Sequence, residues 1–231
     1  MRPDSGVLKR AAAERAVEFV RSGMAVGLGT GSTVRPLLEL LAERLRVGSL
    51  INVVAVPTSA DTAGRCRALG IPLVTLEEYP ELALAIDGAD EVDPRLNLIK
   101  GLGGALLKEK VVALAAKRFV VVADESKLVR RLGTRAPLPV EVVPFGWTTH
   151  VPFLEGLGAV ADLRRGPDGS PFVTDNGNYI VDCRFAHGIR DARSVARALA
   201  QRTGVVEDGL FLRIARVAVV AGARGVRLLK R

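Results

Sequence analysis

Between Ala85 and Lys110 the chain reads AIDGADEVDPRLNLIKGLGGALLKEK. Asp87 and Asp90 stand at the end of an apolar run, separated by Gly88 and Ala89. Lys100 sits in a turn with Gly101, Gly103 and Gly104, and Glu109 follows on a helix-like stretch. Two carboxylates, an ammonium and a third carboxylate make a poor core, but they suit a site that moves protons on a polar substrate. Glu109 is the sharpest of these residues. On a helix its neighbours three and four positions away are Ala105, Leu106, Val112 and Ala113, none of them basic. Its own face (Ala105, Val112, Ala116) is apolar, and so is the opposite one (Leu107, Val111, Leu114, Ala115), which predicts a helix buried on two sides. Desolvation there would raise a carboxylate pKa toward the range useful to a general base. The plainer alternative is a glutamate near a helix N-terminus, satisfied by the dipole and by water.

A second constellation lies upstream. Gly27-Leu28-Gly29-Thr30-Gly31-Ser32-Thr33 falls between a short apolar run and a leucine-rich helical pattern. Glycines and hydroxyls at that junction suit a phosphate or another anion, because free N–H groups and the helix dipole both face it. A dinucleotide fingerprint is a poor match: Ser32 replaces the third glycine. The next strand also ends in Pro57-Thr58-Ser59, without the acid that would hold a ribose hydroxyl. The lysine of a nucleoside-triphosphate loop is absent too.

These residues need a frame. Apolar runs at 24–28, 52–56, 82–86 and 119–123 each end in a cluster of Gly, Ser, Thr, Asp or Lys, the last in Asp124-Glu125-Ser126-Lys127. Helical patterns alternate with them, which predicts a Rossmann-like, mainly parallel α/β sheet with helices on both faces. Ligands of such sheets bind beyond the carboxyl ends of the strands, so the four polar clusters would share one rim. Ile71 to Val74 reads as a further short strand. Past residue 130 the order becomes strand (138–143), helix (147–157), strand (159–163), a strand-like stretch (172–184) with a kink signalled at Asp175-Asn176-Gly177-Asn178, helix (190–202) and strand near Val205. That order predicts a small ferredoxin-like α+β domain over 131–205. Residues 1–130 and 206–231 would form the catalytic domain, to which the last strands (209–212, 217–220, 226–229) return.

Composition narrows the function further. With 231 residues, 48% of them apolar, the chain can bury a sizeable core. The net charge is +8, yet the arginines are spread along the whole length, and there are only seven Phe, two Tyr and one Trp. A solvated basic surface that attracts a small anion is expected, and no nucleic-acid partner. Apolar runs such as VVALAA and FVVVA are too short for a membrane span. MRPDSG leads into a helical pattern without the apolar core of a signal peptide, so a cytoplasmic location is expected. Cys66 and Cys183 read as reduced core residues. His150 and His187 lack metal-ligand spacing, so no metal is expected.

Six motifs together resemble one family. GLGTGST (27–33), IDGADEVDP (86–94), KGLGGALLKEK (100–110), VVADESK (121–127), PLPVEVVPFGW (137–147) and VTDNGNYIVD (173–182) are similar, in order, to ribose-5-phosphate isomerase of the A type. The resemblance implies interconversion of D-ribose 5-phosphate and D-ribulose 5-phosphate, in the pentose phosphate pathway, with no metal or organic cofactor and in a homodimer or homotetramer. It implies that Glu109 shuttles a proton between C2 and C1 through an enediolate. Asp87, Asp90 and Lys100 would serve ring opening and the charge on the substrate oxygens, beside the backbone of Gly88, Ala89, Gly101, Gly103 and Gly104. Lys9, Thr30, Gly31, Ser32, Thr33 and Lys127 would hold the phosphate or neighbouring hydroxyls, with Ser59 and Thr62 nearby. Leu102 departs from the family's usual glycine or arginine. Two rivals remain at this point, a sugar-phosphate-sensing domain without catalysis and a nicotinamide-dependent dehydrogenase. The first normally carries a DNA-binding helix pair, whereas the first 22 residues read as one helix; the second lacks its fingerprint.

Overall fold

Alternation of short buried strands with amphipathic helices organises the chain. The computed structural model describes residues 4–231. In chain order α1 (Ser5–Val17), β1 (Ala25–Leu28), α2 (Val34–Arg46), β2 (Val54–Pro57), α3 (Ala60–Ala68) and β3 (Leu84–Gly88) come first. Then come β4 (Glu91–Val92), β5 (Leu98–Ile99), α4 (Leu106–Ala115), β6 (Phe119–Asp124) and β7 (Leu138–Val142). After these the chain forms α5 (His150–Gly156), β8 (Val160–Leu163), β9 (Tyr179–Arg184), α6 (Ala192–Ala200), β10 (Val205–Asp208), β11 (Leu210–Phe211), β12 (Val217–Gly222) and β13 (Gly225–Lys230). They fall into two compact units: residues 1–89, 108–127 and 213–231 in the first, 90–107 and 128–212 in the second.

The first unit carries a six-stranded sheet in the order β13-β12-β6-β3-β1-β2. Every neighbouring pair is parallel except the terminal β12–β13 hairpin. Strand alternation assigns the two faces. Val26, Leu28, Ile86, Val120 and Val122 share one core with Ala12, Ala16 and Val17 of α1 and Leu37, Leu38 and Leu41 of α2. Burying each such Val, Leu or Ile contributes about 1.5–3 kcal/mol. Gly27 and Ala85 point the other way, toward Val112 of α4. Helices therefore cover both faces. Because β2, β1, β3 and β6 are adjacent and parallel, the segments that follow them leave from one edge.

The second unit holds a four-stranded antiparallel sheet, β10-β7-β9-β8. β7 and β8, joined by α5, bracket β9, while β9 and β10, joined by α6, bracket β7. Val140, Val142, Val181, Leu154 and Leu199 form its core. A three-stranded sheet, β11-β5-β4, belongs to the same unit.

Several local expectations need correcting. Leu210–Phe211 does not return to the large sheet but pairs with Leu98–Ile99. Residues 71–74 make only a single bridge, Ala55 to Leu73, in a run where Pro72 has no amide to give. Of 172–184 only 179–184 is strand, because 174–177 folds into a turn with Gly177 at φ 79°. Helix α4 is buried on one side, not two: Val111 is 47% exposed and Leu114 65%.

Candidate active site

In the first unit the glycine loop is shaped from behind by carboxylate and hydroxyls. Thr30 donates its backbone N–H to Asp87 Oδ1 at 3.1 Å, an oxygen that also takes the Gly88 N–H at 2.7 Å. A Cβ on Gly29 would come within 1.9 Å of that carboxyl, so only glycine lets the loop lie against Asp87. Thr30 Oγ1 sits among three hydroxyls, 2.8 Å from Ser59, 2.9 Å from Thr58 and 3.2 Å from Thr62. Thr62 in turn donates to the Gly29 carbonyl at 2.8 Å, and Ser59 caps α3 by accepting the Thr62 N–H. Thr58, Ser59 and Thr62 are buried behind the loop, where they brace it.

Beyond Thr30 the loop opens. Gly31 has φ 102° with nothing within 4 Å of a Cβ position. The amides of Gly31, Ser32 and Thr33 have no acceptor among the described residues. They precede the N-terminus of α2, where Thr33 makes no side-chain cap. Lys9 reaches across from α1 to donate to Ser32 Oγ at 3.0 Å. Unused amides, a helix N-terminus and an ammonium are the groups that suit an anion. Lys127, half-buried in a single 3₁₀ turn, follows β6 at the same edge of the sheet.

Glu109 is placed by packing. The Ala115 carbonyl of α4 accepts from Leu82 N at the foot of β3, so the helix runs back from the carboxyl ends of the strands toward their starts. Val112 sits against Gly27, where a Cβ would meet its Cγ1 at 2.3 Å. One turn earlier, about 5 Å nearer the carboxyl ends, lies Glu109, only 5% exposed. Its burial agrees with the sequence reading. Both Glu109 and Asp87 (2% exposed) engage in further polar or charged interactions, which the local helix spacing does not reveal.

In the second unit Asp90 begins a short antiparallel ladder, with its N–H on the Ile99 carbonyl at 2.8 Å. Its Oδ2 accepts the Leu102 N–H at 3.0 Å. Lys100 is 3% exposed, with its ammonium 5.5 Å from the centre of the Phe211 ring. Gly101 (φ 103°) and Gly104 (φ 81°) take conformations that an L side chain rarely adopts. Each is crowded as well: a Cβ would meet Leu106 at 2.8 Å on Gly101 and the Phe172 ring at 2.5 Å on Gly104. Gly103 is open.

Four contributors escape a reading of spacing alone. Arg164 forms a two-pronged ion pair with Asp182 and donates to the carbonyls of Gly101 and Leu102. Glu91, fully buried, accepts from the N–H groups of Gly133, Arg135 and Ala136. Glu141, also fully buried, accepts from Thr174, Asn176 and Asn178. Glu91, Glu141 and Asp182 fall within the family motifs, but nothing in their spacing reveals partners this far along the chain. Among the described residues no three His, Cys, Asp or Glu side chains cluster as metal ligands, and no helix is long and apolar enough to cross a membrane.

Comparison with known proteins identifies the family. The family model for ribose 5-phosphate isomerase A (phosphoriboisomerase A) matches residues 54–225. A ribose-5-phosphate isomerase A of Roseiflexus castenholzii is 55% identical over 96% of this chain and 95% of its own length. A probable ribose-5-phosphate isomerase 2 of Arabidopsis thaliana is 50% identical, over 96% and 85%. Among solved structures, a D-ribose-5-phosphate isomerase in complex with phospho-erythronic acid superposes with TM-score 0.96 at 39% identity, covering 99% of this chain and all of that one. The ribose 5-phosphate isomerase of Plasmodium falciparum gives 0.95 at 41% identity, over 98% and 99%.

Proposed function

The chain belongs to the ribose 5-phosphate isomerase A family and interconverts D-ribose 5-phosphate and D-ribulose 5-phosphate, and on that premise we propose how its residues divide the work. Glu109 removes the proton from C2 of the open-chain aldose. The electron pair of that C–H bond forms the C1–C2 double bond of an enediolate as the π pair of the C1 carbonyl moves onto O1. The hydroxyl proton then passes from O2 to O1, the C2=O bond forms, and Glu109 returns its proton to C1 to give the ketose. A carboxylate held with restricted access to water keeps the proton it has taken, which favours transfer over loss to solvent. Asp87, Asp90 and Lys100 serve ring opening and the charge that develops on the substrate oxygens, where a fixed ammonium stabilises an oxyanion more than its precursor. The open amides of Gly31, Ser32 and Thr33, with Lys9 and Lys127, hold the phosphate, remote from the reacting carbons, so that its binding energy orients them.

The observation that carries this reading is the placement of Glu109: buried on α4, one turn from the Val112–Gly27 contact, toward the strand edge that bears the Thr30–Thr33 loop. We further propose a cytoplasmic homodimer or homotetramer that needs neither metal nor nicotinamide. Incubation of the pure protein with ribose 5-phosphate in chelator, without nicotinamide, should yield the ketose, while light scattering should give a mass of two or four chains. Binding of the sugar phosphate without turnover would overturn the catalytic reading in favour of a sensing domain.

A further inference from the structure

The turn after Lys100 is gripped on one side by Arg164. Arg164, directly after β8, is 12% exposed, and Asp182 of β9 is 17% exposed. Its Nε and Nη2 grip the two carboxyl oxygens of Asp182, the first at 2.8 Å. Its Nη1 donates to the carbonyls of both Gly101 and Leu102, each at 3.0 Å. One nitrogen reaches two successive carbonyls only when the backbone is folded so that both face it, which the positive φ of Gly101 permits. The guanidinium also lies 5.8 Å from the centre of the Phe172 ring, and the same ring fills the space over Gly104. On the other side of the turn Leu102 N–H donates to Asp90. Asp182, Arg164, the turn and Asp90 thus form one continuous chain of hydrogen bonds.

We infer that Arg164, oriented by Asp182, is a positioning residue that fixes Lys100 and Asp90 for catalysis. The inference rests on the roles proposed above for those two residues. Simple stabilisation accounts poorly for the arrangement, because burying an ion pair gains little net stability against its desolvation. The donors left over from Asp182 go to the very turn that carries the lysine. The geometry also requires arginine: a lysine ammonium lacks the planar fork and cannot serve Asp182 and two carbonyls together.

The test is steady-state turnover of ribose 5-phosphate by the full chain carrying Arg164→Lys, Arg164→Ala or Asp182→Asn, with melting temperature recorded for each. Arg165→Ala serves as control, since among the described residues the Arg165 guanidinium reaches only the Gly169 carbonyl, in an exposed turn. Displacement of a catalytic group by about 1 Å can cost about 10²-fold. Arg164→Lys should therefore lower kcat at least about 10-fold while KM moves less than about 3-fold, in a protein that still melts cooperatively. Arg164→Ala should lose more, Asp182→Asn less, and Arg165→Ala nothing. If Arg164→Ala fails to fold, Arg164→Lys alone decides. A folded Arg164→Lys with kcat within about 2-fold of the parent overturns the inference. Lys100→Ala, measured alongside, separates the two claims. Its near-normal turnover would sink the role of Lys100 itself, whereas its collapse beside an active Arg164→Lys would sink only the positioning role.

Discussion

Two glycine turns carry most of the proposed binding and charge-stabilising groups, and they are held by opposite means. The loop at 29–33 is braced from behind by neutral hydroxyls and the Asp87 carboxylate, all of which stop at Thr30. Past that point its amides are open and the space around Gly31 is empty. The turn at 100–104 is gripped by a guanidinium, a carboxylate and an aromatic ring, and two of its three glycines are crowded. The contrast follows from the tasks assigned to them. A loop that receives a phosphate must keep its donors free, while a turn that aims a lysine has its own polar groups satisfied internally.

The same substitution placed in each turn should separate them. Gly104→Ala adds a methyl at φ 81° against the Phe172 ring, combining backbone strain with overpacking. Its expected cost is about 2–4 kcal/mol of stability in urea unfolding, with a fall in kcat. Gly31→Ala meets strain but no neighbour. It should cost about 1 kcal/mol and act chiefly on KM. Equal losses in the two would erase the distinction. Smaller again is Lys127→Ala, which should raise KM about 10-fold at low salt, less at high salt, with kcat nearly unchanged. An unchanged KM would remove Lys127 from phosphate binding.

Much of this was legible in the sequence because it depends on local pattern. The apolar runs that became β1, β3 and β6 stand out, and so do their polar tips and the leucine spacing of α2. What was not legible depends on partners remote along the chain. Helical periodicity places Val111 and Leu114 on one face of α4, but it does not say whether anything covers that face, and both are exposed. Leu210–Phe211 looks like any short strand; its partner Leu98–Ile99 lies more than a hundred residues earlier. Arg164 reads as one of the dispersed surface arginines, and the burial of Glu91 goes unnoticed, because the groups they satisfy are largely backbone amides and carbonyls, which leave no mark on side-chain spacing. Thr58, Ser59 and Thr62 were visible as hydroxyls, but their place behind the loop emerges only once β2 lies beside β1.

The most direct test of the whole account is Glu109→Gln, which keeps the size and polarity of the side chain and removes its capacity to take a proton. Measured with ribose 5-phosphate, it should leave KM within about 3-fold and lower kcat by at least about 10²-fold, the loss expected for a missing general base. Turnover by this variant at close to the parent rate would contradict it.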